Sequence, residues 1–79
     1  MPIPYQTSKH EGRTSAIATY KGYQIEVKAY SIDNSYPTHV YVTRPSGRMD
    51  RMPGPTGTGL GDACKRGVEA AQAHIDKVA

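Results

Sequence analysis

The pattern of apolar and polar positions predicts strands in the middle of the chain. Apolar side chains occupy every second position over residues 23–29, with polar side chains between them. A period of two with β-branched and aromatic residues is typical of a half-buried strand. The same alternation over residues 38–44 predicts a second strand, and a weaker pattern over residues 48–52 predicts a third strand that returns beside it.

The stretch before these strands allows two interpretations. Lys21-Gly22 is a tight turn after a short strand at residues 16–20, or it is a bulge within one long strand, because glycine inside a strand often marks a bulge. Residues 33–35, Asp-Asn-Ser, predict a turn, since these side chains bond to nearby backbone and asparagine tolerates positive φ. Residues 45–47, Pro-Ser-Gly, predict another turn.

Helical periodicity is sustained over residues 60–78. Apolar or small side chains recur there on one face of a helix, at Leu60, Cys64, Gly67, Val68, Ala71, Ile75 and Val78. Gly67 costs the helix about 1 kcal/mol relative to alanine, so we predict that it lets the helix approach the sheet closely. The strand positions predicted to pack against this face are Tyr23, Ile25, Val27, Val40 and Val42.

These elements predict an α+β fold, in which a small antiparallel three-stranded sheet packs on one C-terminal helix in the order β-β-β-α. Residues 1–15 are rich in polar side chains and predict a flexible, disordered N-terminal tail. Residues 53–61 are rich in glycine and proline and predict a loop without regular structure. The chain has 79 residues, so residues 16–79 are expected to form a single domain.

Two segments resemble a family of short uncharacterised bacterial proteins. One is Tyr-Lys-Gly-Tyr at residues 20–23 within a strand, and the other is the helix over residues 67–76, which ends in Ile75-Asp76. This chain has His74 where members of that family usually have tryptophan. The resemblance covers residues 19–77. It implies a three-stranded antiparallel sheet with a C-terminal helix, and it implies no activity.

Composition changes this picture little. The net charge is +3, from ten Lys and Arg against seven Asp and Glu, which permits anionic partners without requiring them. The single cysteine, Cys64, excludes an intrachain disulfide and lies on the apolar face of the predicted helix. The N-terminus lacks a basic, apolar leader, and no segment reaches the roughly 20 apolar residues of a membrane span. We therefore expect a cytoplasmic protein without membrane contact.

The glycine spacing of residues 54–59 matches that of a phosphate-binding P-loop. That motif continues with lysine and a hydroxyl residue, because the lysine contacts the phosphates and the hydroxyl binds magnesium. Leu60 and Gly61 stand at those positions here. We therefore predict a flexible connector that does not bind nucleotide, with capture of an anion at the helix N-terminus as the alternative.

No catalytic or metal-binding pattern stands out in the sequence. His10, His39 and His74 lie on different predicted segments, and zinc needs about four converging ligands. The carboxylates are scattered, and none is paired in a way that predicts an acid–base couple. We predict no catalytic residues, no metal and no cofactor, and the protein is not expected to be an enzyme.

One helix covers only one face of a sheet, so the other face is expected to be open. Tyrosines interleaved with basic groups can stack bases while the charges meet phosphates. The candidate surface predicted here comprises Lys28, Tyr30, His39, Tyr41, Arg44, Arg48 and Arg51, with Tyr20 added if the first strand is continuous. The same residue types suit a protein interface, and open strand edges pair readily with each other.

The sequence therefore predicts a small non-enzymatic binding module whose specific role and partner it does not define. Weak nucleic-acid binding through the open sheet face and the arginine-rich turn is the first alternative. A protein-interaction or homodimerising domain is the second. Both alternatives use the same exposed residues, so the spatial arrangement of those side chains decides between them.

Overall fold

The computed structural model describes residues 3–79, which form a five-stranded antiparallel sheet and one C-terminal helix. The strands follow one another across the sheet in chain order, so each pairs with its sequence neighbours. The α+β class and the C-terminal helix are confirmed, and the sheet has five strands where three were predicted. The elements are β1 (Gln6–His10), β2 (Arg13–Tyr20), β3 (Tyr23–Tyr30), β4 (Thr38–Thr43), β5 (Met49–Pro53) and α1 (Leu60–Val78).

The two additional strands lie largely in the segment predicted to be a tail. β1 pairs with β2 along its whole length, from Gln6 opposite Ile17 to His10 opposite Arg13. All five β1 side chains are exposed, so backbone pairing rather than apolar burial holds this strand in place. Ile3 and Tyr5 pack against the core. The predicted tail is therefore structured from residue 3 onward, while residues 1–2 lie outside the described part of the chain.

Lys21 and Gly22 form a two-residue turn, which decides between the two alternatives left open by the sequence. Their φ angles are 51° and 81°, and Tyr20 pairs with Tyr23 across the turn. Positive φ at both central positions is the property of a type I′ hairpin turn. Asp33 and Asn34 also have positive φ, at 49° and 62°, so the turn predicted there is confirmed.

The core lies between α1 and the inner face of the sheet, which we define as the face that the helix covers. Its largest fully buried side chains are Ile25, Val27, Val40, Val42, Cys64, Val68 and Ile75. Tyr23 and Leu60, also predicted for the core, are partly buried at its margin. Alanines complete it at Ala16, Ala18, Ala29, Ala63 and Ala71.

Gly67 is a point of close approach between helix and sheet. A Cβ atom built on Gly67 would lie 2.5 Å from Cγ1 of Val27 and 3.1 Å from its Cγ2. Both residues are buried, so no space is available for a larger side chain. The predicted close contact is confirmed, and it fixes which face of the sheet the helix covers.

Within residues 3–79, the single helix is too polar to cross a membrane.

Candidate functional site

The face of the sheet opposite α1 carries no other element of the described chain, and we call it the open face. Side chains that are paired across adjacent strands point to the same side, so the register identifies its members. One row across the sheet runs Gln6, Ile17, Glu26, Tyr41 and Arg51. A second row runs Ser8, Ser15, Lys28, His39 and Pro53, and a third runs His10, Arg13 and Tyr30.

Aromatic rings and cations lie next to one another in the middle of the open face. The rings of Tyr30 and His39 meet edge to face, with centroids 5.5 Å apart. Nζ of Lys28 lies 5.5 Å from the ring centroid of Tyr41, which is within the range of a cation–π contact. Arg51 is directly opposite Tyr41 on the neighbouring strand. Five of the seven predicted surface residues are thus brought together.

Within the described part of the chain, the cations of this cluster have no carboxylate partner. The ion pairs among residues 3–79 are Lys21–Asp76, Arg44–Asp50, Arg48–Asp50 and Arg66–Asp62, and they leave out Arg13, Lys28 and Arg51. Within the described chain, Glu26 is the one carboxylate that the register places on the open face. The open face therefore carries three full positive charges against one negative charge.

The other two predicted arginines do not join this surface. Nε of Arg44 donates to Oδ2 of Asp50 at 2.7 Å, and Nε of Arg48 lies 3.7 Å from Oδ1 of the same carboxylate. The register places Asp50 on the inner side of the sheet, opposite Val42. The hydrogen bond from Arg44 lowers the pKa of Asp50. Arg44 and Arg48 thus hold the β4–β5 turn together, and of the three arginines only Arg51 lies on the open face.

Arg13 belongs to the open face and was missed because it falls in the predicted tail. It pairs with His10 on one side and with Tyr30 on the other. Its Nε atom is buried and has no hydrogen-bond partner. Tyr20 was expected on the open face only if the first strand were continuous; with a turn at Lys21-Gly22 it faces the inner side, where its hydroxyl donates to Oδ1 of Asp76 at 2.7 Å. Only the strand register separates these two cases.

A hollow of about 240 Å³ lies beside Tyr41 on the open face, and we call it the Tyr41 hollow. Two of its walls are large apolar side chains that remain 54% and 61% exposed, Ile17 and Met49. The other lining residues are Gln24, Ile25, Glu26 and Thr43, together with Tyr41. A second depression, of about 500 Å³, lies at the β1–β2 edge and shares Ile17 as a wall.

Hydrogen bonds hold the glycine-rich loop of residues 53–61 against its neighbours. The amides of Gly54 and Gly57 donate to the carbonyl oxygens of Thr38 and Tyr36, at 3.2 and 3.0 Å. The Thr38 hydroxyl donates to the carbonyl of Pro55 at 2.7 Å. These bonds join the loop to β4 and to the segment before it, so we now expect little motion where the sequence predicted a flexible connector.

The N-terminus of α1 already has its own anion. The carboxylate of Asp62 accepts hydrogen bonds from the backbone amide of Thr58 at 2.9 Å and from Nε of Arg66 at 2.7 Å. These contacts, the Thr58 amide first and then Arg66, lower the pKa of Asp62 and keep it ionised. A carboxylate at the first turn favours the helix dipole. The geometry therefore argues against the alternative of anion capture at this end of the helix.

The surroundings of Cys64 and His74 can be described individually. Cys64 is buried, its thiol donates to the carbonyl of Thr14 at 3.6 Å, and burial raises its pKa, which disfavours the reactive thiolate. His74 has a buried Nε2 without a partner. No group of three or more metal-binding side chains comes together within residues 3–79.

Comparisons of the chain with family models, with curated proteins and with solved structures found no match. The resemblance to short bacterial proteins stays a prediction, and arguments about function rest on the geometry of the open face.

Proposed function

We propose that this protein is a small non-enzymatic binding module, and that its ligand is single-stranded nucleic acid held on the open face. One observation carries the proposal: three cations without carboxylate partners alternate with three aromatic rings on the uncovered side of the sheet. The cations are Arg13, Lys28 and Arg51, and the rings are Tyr30, His39 and Tyr41.

The arrangement matches the chemistry of an unpaired strand. Bases that are not paired offer flat faces that stack on aromatic side chains, and the phosphates are attracted to the cations beside them. The two depressions described beside Tyr41 and at the β1–β2 edge are parts of a broad sheet surface, which suits a flexible strand better than a compact small molecule. With three cations available, we expect binding of moderate strength and without strict sequence dependence on the phosphate side.

The non-enzymatic part of the proposal is supported by the state of the carboxylates. Asp50, Asp62 and Asp76 each accept hydrogen bonds, and these bonds lower their pKa values. A general acid near neutral pH needs the opposite shift. The buried thiol of Cys64 is similarly unsuited to nucleophilic attack. A free, buried cysteine is compatible with the cytoplasmic location that we also propose.

A protein partner is the second candidate, favoured by a different observation. Ile17 and Met49 are exposed on the open face, and β1 and β5 are the outer strands of the sheet in the described chain. Exposed apolar groups and free strand edges favour association with a second copy or with another protein. Such association depends weakly on salt, whereas nucleic-acid binding depends on it strongly.

A salt series with a labelled oligonucleotide separates the two candidates. Fluorescence anisotropy with single-stranded DNA and RNA should give a log–log slope of affinity against salt of about −2, because about 0.7 counterions are released per neutralised phosphate. Arg51→Ala should reduce the magnitude of that slope by about 0.7. Tyr41→Ala should weaken binding about tenfold or more through lost stacking.

Lys65→Ala is the matched control, since Lys65 is exposed on the helix and its loss changes the net charge equally. The control should bind as the unmodified protein does. Absence of binding at low salt to every oligonucleotide would remove the nucleic-acid proposal. The homodimer would then be established by a sedimentation coefficient that rises with protein concentration, provided that this rise is lost in Met49→Ser.

A further inference from the structure

The Tyr41 hollow is bounded by surfaces that match the faces of a nucleobase. Ile17 and Met49 form apolar walls on β2 and β5, and the ring of Tyr41 stands between them on β4. The volume of about 240 Å³ is enough for one planar heterocycle. These two large apolar side chains remain more than half exposed. A ligand that covers them removes apolar surface from water, which contributes favourably to the free energy of binding.

The polar groups at the hollow have unused hydrogen-bonding capacity. Within residues 3–79, Gln24 and Glu26 make no hydrogen bond or ion pair with another side chain or with the backbone through their side-chain atoms. Both are exposed on β3 and lie on the same side of the sheet. An ionised carboxylate only accepts hydrogen bonds, whereas an amide both donates and accepts. Glu26 is therefore the group able to discriminate among base edges.

Lys28 lies on the opposite side of Tyr41 from Gln24, and Arg51 lies beside Tyr41 on β5. Along β3, Gln24 pairs with Thr43, Glu26 with Tyr41, and Lys28 with His39. Lys28 thus approaches the Tyr41 ring from the His39 side, at 5.5 Å, and leaves the hollow side open. A base in the hollow would have its phosphate near Lys28 or Arg51, which agrees with the charge distribution.

We propose that the Tyr41 hollow is a nucleobase subsite that prefers bases with an exocyclic amino group. The inference rests on the proposed function and names the chemical preference of the same surface. Cytosine and adenine present an amino donor on their pairing edges, and Glu26 accepts from it, as acidic side chains do from cytosine N4. Where cytosine carries its amino group, uracil and thymine carry the O4 carbonyl, which repels a carboxylate at that position. Their one donor on this edge, N3–H, lies between two carbonyl oxygens, so its hydrogen bond to Glu26 is the weaker one.

The preference is measured with two pyrimidine oligomers of equal length. Oligo-dC and oligo-dT of about eight nucleotides fit the range of site sizes known for single-strand binders. The unmodified protein should bind oligo-dC about tenfold more tightly than oligo-dT, as one good base contact provides. Oligo-rC and oligo-rU form a second arm, which shows whether the ligand is RNA or DNA.

Glu26→Gln removes the acceptor-only group and keeps the size of the side chain. It should abolish the preference for oligo-dC, because the amide bonds equally well to either pyrimidine. Glu69→Gln is the control for charge, since Glu69 is exposed on α1, and it should keep the preference intact. Thermal unfolding followed by circular dichroism verifies that both variants are folded.

Each outcome bears on a separate proposal. Equal binding of oligo-dC and oligo-dT would overturn the subsite and leave the nucleic-acid function standing. An equal gain in affinity for both oligomers in Glu26→Gln would also overturn it, because the carboxylate would then act only by repelling phosphate. Absence of binding to all four oligomers at low salt would overturn the subsite together with the proposed function.

Discussion

Replacing Gly67 with alanine should destabilise the protein, although alanine is the better helix former. The added Cβ would lie 2.5 Å from Cγ1 of Val27, while comfortable carbon contacts are about 3.5 Å or longer. The helix and sheet must therefore separate by about 1 Å. The β-branched Val27 is fully buried and cannot rotate away.

Two opposing effects set the change in the free energy of unfolding caused by Gly67→Ala. Overpacking of a core costs about 1–3 kcal/mol, and relief of the glycine penalty returns about 1 kcal/mol. The difference is a loss of about 0–2 kcal/mol in the free energy of unfolding, and because Val27 cannot rotate away we expect the upper half of that range, about 1–2 kcal/mol. For a domain of this size, that loss lowers the melting temperature by about 5–10 °C.

A double-mutant cycle in urea, followed by far-ultraviolet circular dichroism, isolates the contact. Val27→Ala alone should cost about 2 kcal/mol, from two lost methyl groups and the space they leave. In that background Gly67→Ala should become stabilising by up to about 1 kcal/mol, because the clash is gone. The two substitutions should therefore couple by about 2–3 kcal/mol.

Gly61→Ala is the control within the same helix, since a Cβ at Gly61 meets nothing within 4 Å. It should leave stability unchanged or raise it slightly. The reasoning would be refuted if Gly67→Ala were as stable as the unmodified protein, or if its effect were the same with Val27 and with Ala at position 27. Either result would mean that the helix does not approach the sheet at this point.

Three further predictions concern the core, the helix N-terminus and the loop. Val68→Asp, which buries an unpaired charge, should abolish cooperative thermal unfolding; a melt like that of the unmodified protein would show that the helix face is assigned wrongly. The pKa of Asp62 is lowered in the folded protein, so its carboxylate contributes fully to the free energy of unfolding at pH values above its unfolded pKa near 3.8. That contribution is lost as the pH falls below this unfolded pKa. Asp62→Asn should flatten that acid dependence in urea titrations, and an unchanged profile would contradict the Thr58 contact. ATP with magnesium should leave the amide chemical shifts of residues 54–62 unchanged, and saturable shifts there would contradict this.

The helix and the central strands were predictable because burial leaves a periodic trace in the sequence. The apolar period marks residues 60–78 as a helix, and the structure begins and ends α1 at those residues. Alternation likewise marks β3 and β4, which are half buried. In each case one side of the element faces the core, and that one-sidedness is what a hydrophobic pattern records.

β1 could not be predicted in this way because it buries nothing. Its five side chains are polar and exposed, and its contribution is a ladder of backbone hydrogen bonds that any sequence can make. The same gap hid Arg13, and the side of Tyr20 stayed open because it depends on whether Lys21-Gly22 is a turn or a bulge. The partners of Arg44 and Arg48 are equally a matter of register, since Asp50 meets them only after the β4–β5 turn forms.

The position of α1 after all five strands has a consequence for synthesis. Each strand pairs with its neighbour in the chain, so the sheet can assemble through local contacts as the chain leaves the ribosome. The inner face of the sheet then stays exposed to solvent until α1 has left the ribosome. This face carries Ile25, Val27, Val40 and Val42. Exposed apolar strands at that stage are the species that aggregate. A chain that stops in the loop before α1 is therefore expected to depend on chaperones, whereas one that has released α1 can bury its own core.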